Sequence, residues 1–387
     1  MQRLWNKLVR LAGSFGLACT LLILLGLLTW LGTLEQTHSG LYEVQHKYFE
    51  SFVLLHDFGP FSLPLPGANL VICVLALNLV VGGVLRIRKN RSTAGILIAH
   101  LGILLLFAAA FVKWRFASEG QITLFEGQSA DTFQDAYRCE LSIVEHTPAG
   151  ERLEILMPQE ALLRSEGNTS ARWVSSDLPF ALEVQHFARN SRVLRKGPMF
   201  DVAVPVLDGF FLSEEPLSIE AETNIAGAYL RLSDSATGEA QQGIVWSAEG
   251  QPWSAKCAGR TFSFELRNER HPLPFEIALK DFSKVDHPGT SMPQSFTSDV
   301  TINEAGSERA LRISMNEPLR SRGLVVYQAS WGPQGAREGA RLFSTFAVVR
   351  NPADRLPLYA CIVIACGLLL HFGRKLRATL RARVVAT

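Results

Sequence analysis

The stretch Ala94 to Val112, AGILIAHLGILLLFAAAFV, runs for nineteen residues with His100 as its only ionisable side chain. A helix of that length, at about 1.5 Å per residue, crosses the hydrocarbon core of a bilayer. A membrane is therefore the first constraint on this chain. Lipid offers a polar ring no hydrogen-bond partner, which makes an intramembrane histidine a functional candidate, and neutral imidazole is a good ligand for iron or copper. The plainer reading, a hydrogen bond from His100 to a neighbouring helix, fits the sequence equally.

Three further apolar runs, at 17–34, 68–85 and 356–372, are long enough to span. Their flanks carry the basic residues: Arg3, Lys7 and Arg10 before the first, RIRKNR at 86–91 between the second and third, and GRKLRATLRAR after the fourth. Four spans put all three clusters on one side, which is the positive-inside pattern. The expected organisation is a cytoplasmic basic N-terminus at 1–16, a first span at 17–34, an extracytoplasmic loop at 35–67 and a second span at 68–85. A cytoplasmic basic loop at 86–93, a third span at 94–112, an extracytoplasmic domain at 113–355, a fourth span at 356–372 and a cytoplasmic basic tail at 373–387 complete it. The first run is too long for a signal peptide and no small-x-small site follows it, so a retained anchor is expected.

In the 35–67 loop, Leu41, Val44, Tyr48, Phe52 and Leu55 recur at roughly helical spacing, predicting an amphipathic helix on the outer interface, with His38, His46 and His56 as interfacial polar groups. The 113–355 region alternates polar and apolar residues in QITLFEG, YRCELSIVEH, RLEILM, FALEVQHF, AYLRLSD, TFSFELRN, PFEIALKDF, DVTIN, ALRISM and GLVVYQASW. Short alternating runs between Gly, Pro, Asp and Asn turns predict antiparallel sheets in a sandwich or an open barrel. The fold class expected is thus a membrane protein of four transmembrane α-helices with a large β-rich domain between helices three and four. Phe210 to Asn224 fits no element clearly.

No Gly-rich phosphate loop, GxSxG, HExxH or acidic metal cage is present, so no catalytic residue is assigned. His146, His186, His271 and His287 share no spacing. Of six cysteines only Cys139 and Cys257 lie in the polar region, where an oxidising compartment would allow a disulfide.

Several stretches resemble the ResB (also called CcsB) family of system II cytochrome c maturation. They are WLGTLEQ at 30–36, EVQHKYFESF at 43–52, HLGILLLFAAAF at 100–111, EGQITLFEGQ at 119–128, HPGTSMPQSFTSDV at 287–300 and MNEPLRSRGLVVYQAS at 315–330. Their order and placement carry the match more than any one does. The resemblance implies a separate subunit that works with a CcsA-type membrane protein, moves haem b across the membrane as its transported substrate, and positions it for attachment to the CxxCH cysteines of apocytochrome c. Thiol-reducing proteins enter indirectly, and no nucleic acid is implied. Haem ligation would be a property of the complex. The resemblance also implies that His100 is an axial haem ligand, about 10 Å into the span from the cytoplasmic side, with the second axial position left to the partner.

His371 is the alternative ligand, otherwise an interfacial histidine beside Arg374 and Lys375. Those two residues, with Arg86, Arg88, Lys89 and Arg91, either attract haem propionates or set topology and bind anionic lipid. Tyr327, Gln328 and Trp331 are candidates for a surface that holds apocytochrome c or the partner. With no transit peptide visible, the expected location is a bacterial cytoplasmic (inner) membrane with the large domain periplasmic. Two other classes compete: a membrane-anchored β-domain scaffold in which His100 is structural, and a b-type electron-transfer subunit. The second calls for two facing histidines at one depth.

Overall fold

A computed structural model describes residues 2–386 except 60, 147–151, 199, 235–237, 291 and 334–340. In chain order the elements are α1 (Gln2–Ala12), α2 (Phe15–Val44), β1 (Val53–Asp57), β2 (Ser62–Pro66), α3 (Ala68–Asn78) and α4 (Ala94–Phe116). Strands β3 to β18 follow, with a one-turn helix α5 (Gln159–Leu162), before the closing helix α6 (Leu356–Ala386). The chain divides into two compact units, one of Met1–Ser118 with Arg350–Thr387 and one of Glu119–Val349.

The helical unit has four segments long and apolar enough to cross a membrane, Phe15–Phe49, Ala68–Leu85, Ala94–Phe116 and Leu356–Arg381. Leu21, Leu28 and Leu31 of α2 are buried with Ala68 and Val71 of α3. On α4 the small residues Gly95, Ala99 and Gly102 form one stripe, and α6 packs on it. The approach is backbone to backbone: a Cβ on Gly95 would lie 2.7 Å from the Gly367 carbonyl oxygen, and one on Gly367 would lie 2.5 Å from the Ala99 nitrogen. Spans inside lipid gain little from burying apolar groups on each other, so this close fit supplies the attraction.

The loop after the first span differs from the expected interfacial helix. α2 kinks at Gly40, whose φ of 73° suits glycine, and continues through a wider π-type turn at Gln45–Phe49. Leu41, Val44 and Tyr48 are therefore helical, but Phe52 lies beyond the helix and Leu55 lies in a strand. Leu54 pairs with Leu65 and His56 with Leu63 in an antiparallel β1–β2 hairpin. The sequence VLLHD alternates with a period of two as readily as it fits a helix. Pro64 and Pro66 then exclude the helix while remaining compatible with an edge strand.

The second unit consists of β3 (Ser118–Phe125), β4 (Ser129–His146), β5 (Arg152–Pro158), β6 (Ser170–Trp173), β7 (Phe180–Ala188), β8 (Ser191–Arg195), β9 (Phe210–Glu214), β10 (Gly227–Asp234), β11 (Ala240–Trp246), β12 (Trp253–Cys257), β13 (Arg260–Asp286), β14 (Pro293–Glu304), β15 (Ser307–Ser314), β16 (Leu319–Ser321), β17 (Leu324–Gly332) and β18 (Phe343–Arg350). Every alternating run named above falls in a strand, apart from one or two end residues of QITLFEG, ALRISM and GLVVYQASW. TFSFELRN and PFEIALKDF lie in the same one, β13. The unplaced Phe210 to Asn224 region supplies β9, which pairs with β8.

Two hydrophobic cores result. One lies between the sheet β11-β10-β7-β6 and the β5-β4-β13-β12 end of the large sheet, with Leu141, Ile143, Phe180, Leu182, Leu230, Phe262 and Phe264 buried. The other is enclosed by the large sheet, ordered β15-β14-β13-β4-β3-β18-β17-β16, which curls until β15 meets β16 and β17. Ile277, Val300, Ile302, Ile313, Val326 and Phe346 fill it. The unit is thus a sandwich at one end and a curled, barrel-like sheet at the other.

Cross-strand ion pairs tie the sheet together. Arg312 sits opposite Asp299 and donates to both carboxylate oxygens at 2.7 and 2.9 Å, and Arg260 forks onto Glu145. Arg312 holds Asp299, and Arg260 holds Glu145, below their ordinary values of 3.8 and 4.5. The Ser142 hydroxyl, with Arg267, does the same for Glu154. A carboxyl whose folded pKa is depressed adds stability above its unfolded pKa and loses it as pH falls through the folded one. The β unit should therefore hold a constant midpoint in urea from neutrality down to about pH 4.5 and lose stability progressively below it. Following the near-ultraviolet dichroism of the solubilised chain in urea at a series of pH values tests this. A midpoint that stayed flat to pH 3 would show that these pairs carry no stability.

Candidate functional site

His100 lies on α4, half-buried, and does not face α6. It is five residues from Gly95, which turns it well away from the Gly95–Ala99–Gly102 stripe on a 3.6-residue helix. What it faces is the end of the second span. There α3 gives way to a π-type turn at Leu79–Leu85, in which the Arg86 N–H reaches back to the Val81 carbonyl at 3.1 Å. Wide turns of this kind recur at functional positions. The last carbonyls of a helix have no intrahelical donor, and the Gly83 carbonyl oxygen takes one from His100 Nδ1 at 2.9 Å.

That contact fixes the chemistry of the ring. A carbonyl only accepts, so Nδ1 carries a proton, and in the neutral ring the lone pair is on Nε2. Among the described residues no hydrogen bond to Nε2 is present. This is the arrangement common to metal-ligating histidines, in which one ring nitrogen donates to a backbone carbonyl and the other remains basic. Glycine is required at position 83, since a Cβ there would lie 2.6 Å from His100 Nδ1.

His371 is not brought to His100. Its backbone packs on the α6-facing stripe, where a Cβ on Gly95 would lie 2.7 Å from the His371 nitrogen, and its ring stands edge-on to Phe372 at 5.2 Å. Arg374, beside it, donates to the Arg91 carbonyl.

A second polar group in this unit was not legible in the sequence. Glu35 accepts from Lys47 Nζ at 2.7 Å and from the Tyr48 hydroxyl at 2.5 Å, and Tyr48 also contacts His56 Nδ1. A phenol has one proton to give, so with Tyr48 donating to Glu35 the imidazole donates to Tyr48. The chain of bonds fastens the β1–β2 hairpin to the kinked helix. His56 is thus a partner in this cluster, whereas His38 and His46 are exposed, as expected of interfacial groups. The kink at Gly40 brings together residues twelve to twenty-one positions apart, a juxtaposition no periodicity announces.

In the β unit, Gln328 is internal: it donates to Ser344 Oγ at 2.6 Å and accepts from Ser298 Oγ at 2.7 Å. Of the proposed surface triplet, Tyr327 is exposed, while Trp331 stacks on Phe282 with Lys284 Nζ 4.6 Å from its ring. Cys139 and Cys257 are both free and buried. Burial pushes the Cys139 thiol up to about 12, and burial with Asp234 pushes Cys257 up to about 11, so neither is a thiolate near neutrality. His146 bonds to Ser263 Oγ at 2.8 Å, and His287 sits in the β13–β14 turn, where its N–H donates to the Met292 carbonyl at 2.9 Å. Among the described residues no group of three His, Cys, Asp or Glu could hold a metal ion.

Residues 239–345 match the ResB-like family. The match lies within the β unit, in the part running from β11 into β18, and leaves the His100 helix outside it. The chain is also similar to proteins named cytochrome c biogenesis protein CcsB. The similarity is 28% identity over 118 residues to that of Prochlorococcus marinus (strain MIT 9313), covering 30% of this chain and 25% of that protein. The CcsB of Synechococcus sp. (strain RCC307) is 30% identical over 98 residues, covering 25% and 20%, and that of Paulinella chromatophora 28% over 127 residues, covering 30% and 27%. The chain thus spans about a quarter of the length of the CcsB relatives it matches. The ResB resemblance read from the sequence is borne out over these stretches.

Replacing Gly83 by valine should force the imidazole off its carbonyl. Nitrogen NMR of histidine-labelled protein is expected to report a single Nδ1-protonated tautomer for His100 in the native chain and a mixture in Gly83→Val. An unchanged tautomer in the variant would mean that Gly83 does not set it.

Proposed function

We propose that this chain is a subunit of the system II cytochrome c maturation machinery, which with a CcsA-type partner binds haem in the membrane and presents it for attachment to apocytochrome c. The observation that carries the reading is the His100–Gly83 contact. It holds the His100 imidazole by Nδ1 at fixed orientation on an apolar helix, and among the described residues nothing hydrogen-bonds Nε2. The ResB-like match and the CcsB relatives support a role in cytochrome c biogenesis. Haem is the substrate here, and one histidine supplies one axial bond to its iron. The opposite axial position falls to the partner, because His371 packs on a different face of α4.

On this reading the helical unit binds and orients, and the chemistry of attachment needs little else from the chain. Each thioether forms by addition of a cysteine S–H across a haem vinyl group, which requires reduced thiols and close placement. The β unit would lie on the outer side of a bacterial inner membrane, with both termini cytoplasmic, and would hold apocytochrome c or the partner's outer loops. Its two cysteines, buried and protonated, are poorly placed to exchange with the substrate's thiols.

The test is the absorption spectrum of the chain purified with its CcsA-type partner, native and as His100→Ala or His100→Gly, with and without imidazole. The haem signal is expected to be lost in both variants and to return in part with imidazole in His100→Gly. Gly83→Val should weaken haem retention by about 10- to 100-fold, the usual cost of losing a ligand's outer hydrogen bond. Undiminished haem in His100→Ala would make His100 a structural hydrogen-bonding group, leaving the scaffold reading, and would move the search to His371 or to the partner.

A further inference from the structure

α1 presents an apolar face with no protein against it. None of its residues is buried, and Leu4, Trp5, Leu8 and Leu11 are 64%, 67%, 52% and 62% exposed. Positions 4, 8 and 11 fall on one helical stripe with Trp5 at its edge. Arg3, Lys7 and Arg10 fall on the adjoining stripe, and the helix carries no acidic residue. An apolar stripe flanked by basic residues and an interfacial tryptophan is the pattern of a helix lying in a membrane surface.

The attachment of α1 to the bundle fits that position. The chain breaks at Ser14 (φ −88°, ψ 145°), whose hydroxyl caps α2 by accepting from the Leu17 N–H at 3.1 Å. Asn78, 7% exposed in the second span, donates its side-chain amide to the Ala12 and Ser14 carbonyl oxygens at 2.7 and 3.0 Å. Gly13 and Gly82 meet backbone to backbone, so that a Cβ on Gly82 would lie 2.7 Å from the Gly13 carbonyl oxygen. Arg86 reaches the Arg10 carbonyl at 3.4 Å. The Ala12 carbonyl at the α1–α2 corner is thus served by Asn78 of the second span, which also joins the Ala18 N–H on the Ser14 carbonyl, and the Arg10 carbonyl is served by Arg86 just beyond that span. The same contacts set α1 at the end of the bundle that carries Arg86, Arg88, Lys89 and Arg91.

We propose that α1 is an anchoring helix that lies in the anionic headgroup surface of the membrane the chain spans, with Leu4, Trp5, Leu8 and Leu11 among the acyl chains and Arg3, Lys7 and Arg10 at the phosphates. The charge pattern selects this occupant: a purely apolar partner would leave three cations unpaired, and a solvated tail would leave four large apolar side chains in water. The inference is independent of whether the chain handles haem.

The full chain is tested in vesicles of phosphatidylcholine mixed with phosphatidylglycerol. Nitroxide is placed at Leu4→Cys, Leu8→Cys, Arg3→Cys or Lys7→Cys, one at a time, with Cys19, Cys73, Cys361 and Cys366 replaced by alanine. Collision with oxygen is expected to exceed collision with a water-soluble nickel chelate several-fold at positions 4 and 8, and the order to reverse at 3 and 7. Lys7→Glu with Arg10→Glu, or vesicles of phosphatidylcholine alone, should shrink that contrast while the basic residues at 86–91 keep the topology. Equal exposure to nickel at all four positions would overturn the proposal in favour of a solvated tail. Exclusion of both reagents would overturn it in favour of a protein contact, and a contrast indifferent to charge would overturn its anionic-lipid part.

Discussion

Hydrocarbon accepts no hydrogen bond, and the helical unit is arranged around that limit. Several polar groups in its spans find partners inside the unit. Thr20, Thr29 and Thr33 return their hydroxyls to carbonyls one turn back, Asn78 serves the corner after α1, and His100 serves the terminal carbonyl of Gly83. Those contacts require the backbones to approach closely, which is why glycine stands at 82 and 83. The π-type turn belongs to the same arrangement, since it ends the second span with free carbonyls where α4 offers a donor. A larger residue at 83 would break a hydrogen bond that lipid cannot replace.

The β unit answers a different limit, that two cores must share one chain without a seam. β4 and β13 run through both, and their register shifts between Asn268 and Arg270 and again between Pro272 and Ile277. Pro272 and Pro274 have no N–H to give, so the ladder breaks where they stand. At the first shift the freed groups are taken up locally: Asp135 accepts from the Tyr137 and Arg138 N–H groups at 2.9 Å each, and Asn268 donates to the Asp135 carbonyl at 3.1 Å. The two shifts together turn one sheet from the sandwich into the curled half.

What the sequence reveals of this follows from the range of each signal. Alternation over five to nine residues reports a half-buried strand directly, so runs such as FALEVQHF and DVTIN are legible. It cannot report that TFSFELRN and PFEIALKDF are one strand, because the prolines between them look like a turn and are a bulge. VLLHD satisfies two periods at once, and only its pairing with Leu63 and Leu65 decides between them. Gln328 lies in a strand beside the exposed Tyr327, and its interior position depends on Ser298 and Ser344, thirty and sixteen residues away. At the candidate site, His100 is visible from composition alone, but its partner is a backbone carbonyl, which leaves no mark in the sequence beyond the glycine that exposes it.

That last contact bears on how many chains a haem site here would involve. A b-type electron-transfer subunit holds its iron between two histidines on facing helices of one bundle, and among the described residues of this unit His100 and His371 form no such pair: α6 covers the Gly95–Ala99–Gly102 face, and His371 lies against that face while His100 looks toward the second span. Rotating α4 to bring the two rings together would drive Gly95, Ala99 and Gly102 out of contact with α6 and carry His100 away from the Gly83 carbonyl. Both contacts resist the rotation, one through backbone packing that admits no larger side chain and the other through a hydrogen bond with no substitute in lipid. On the proposed reading, His371 is therefore not the second ligand of a haem at His100, and a partner-supplied ligand is what would tie haem binding to assembly.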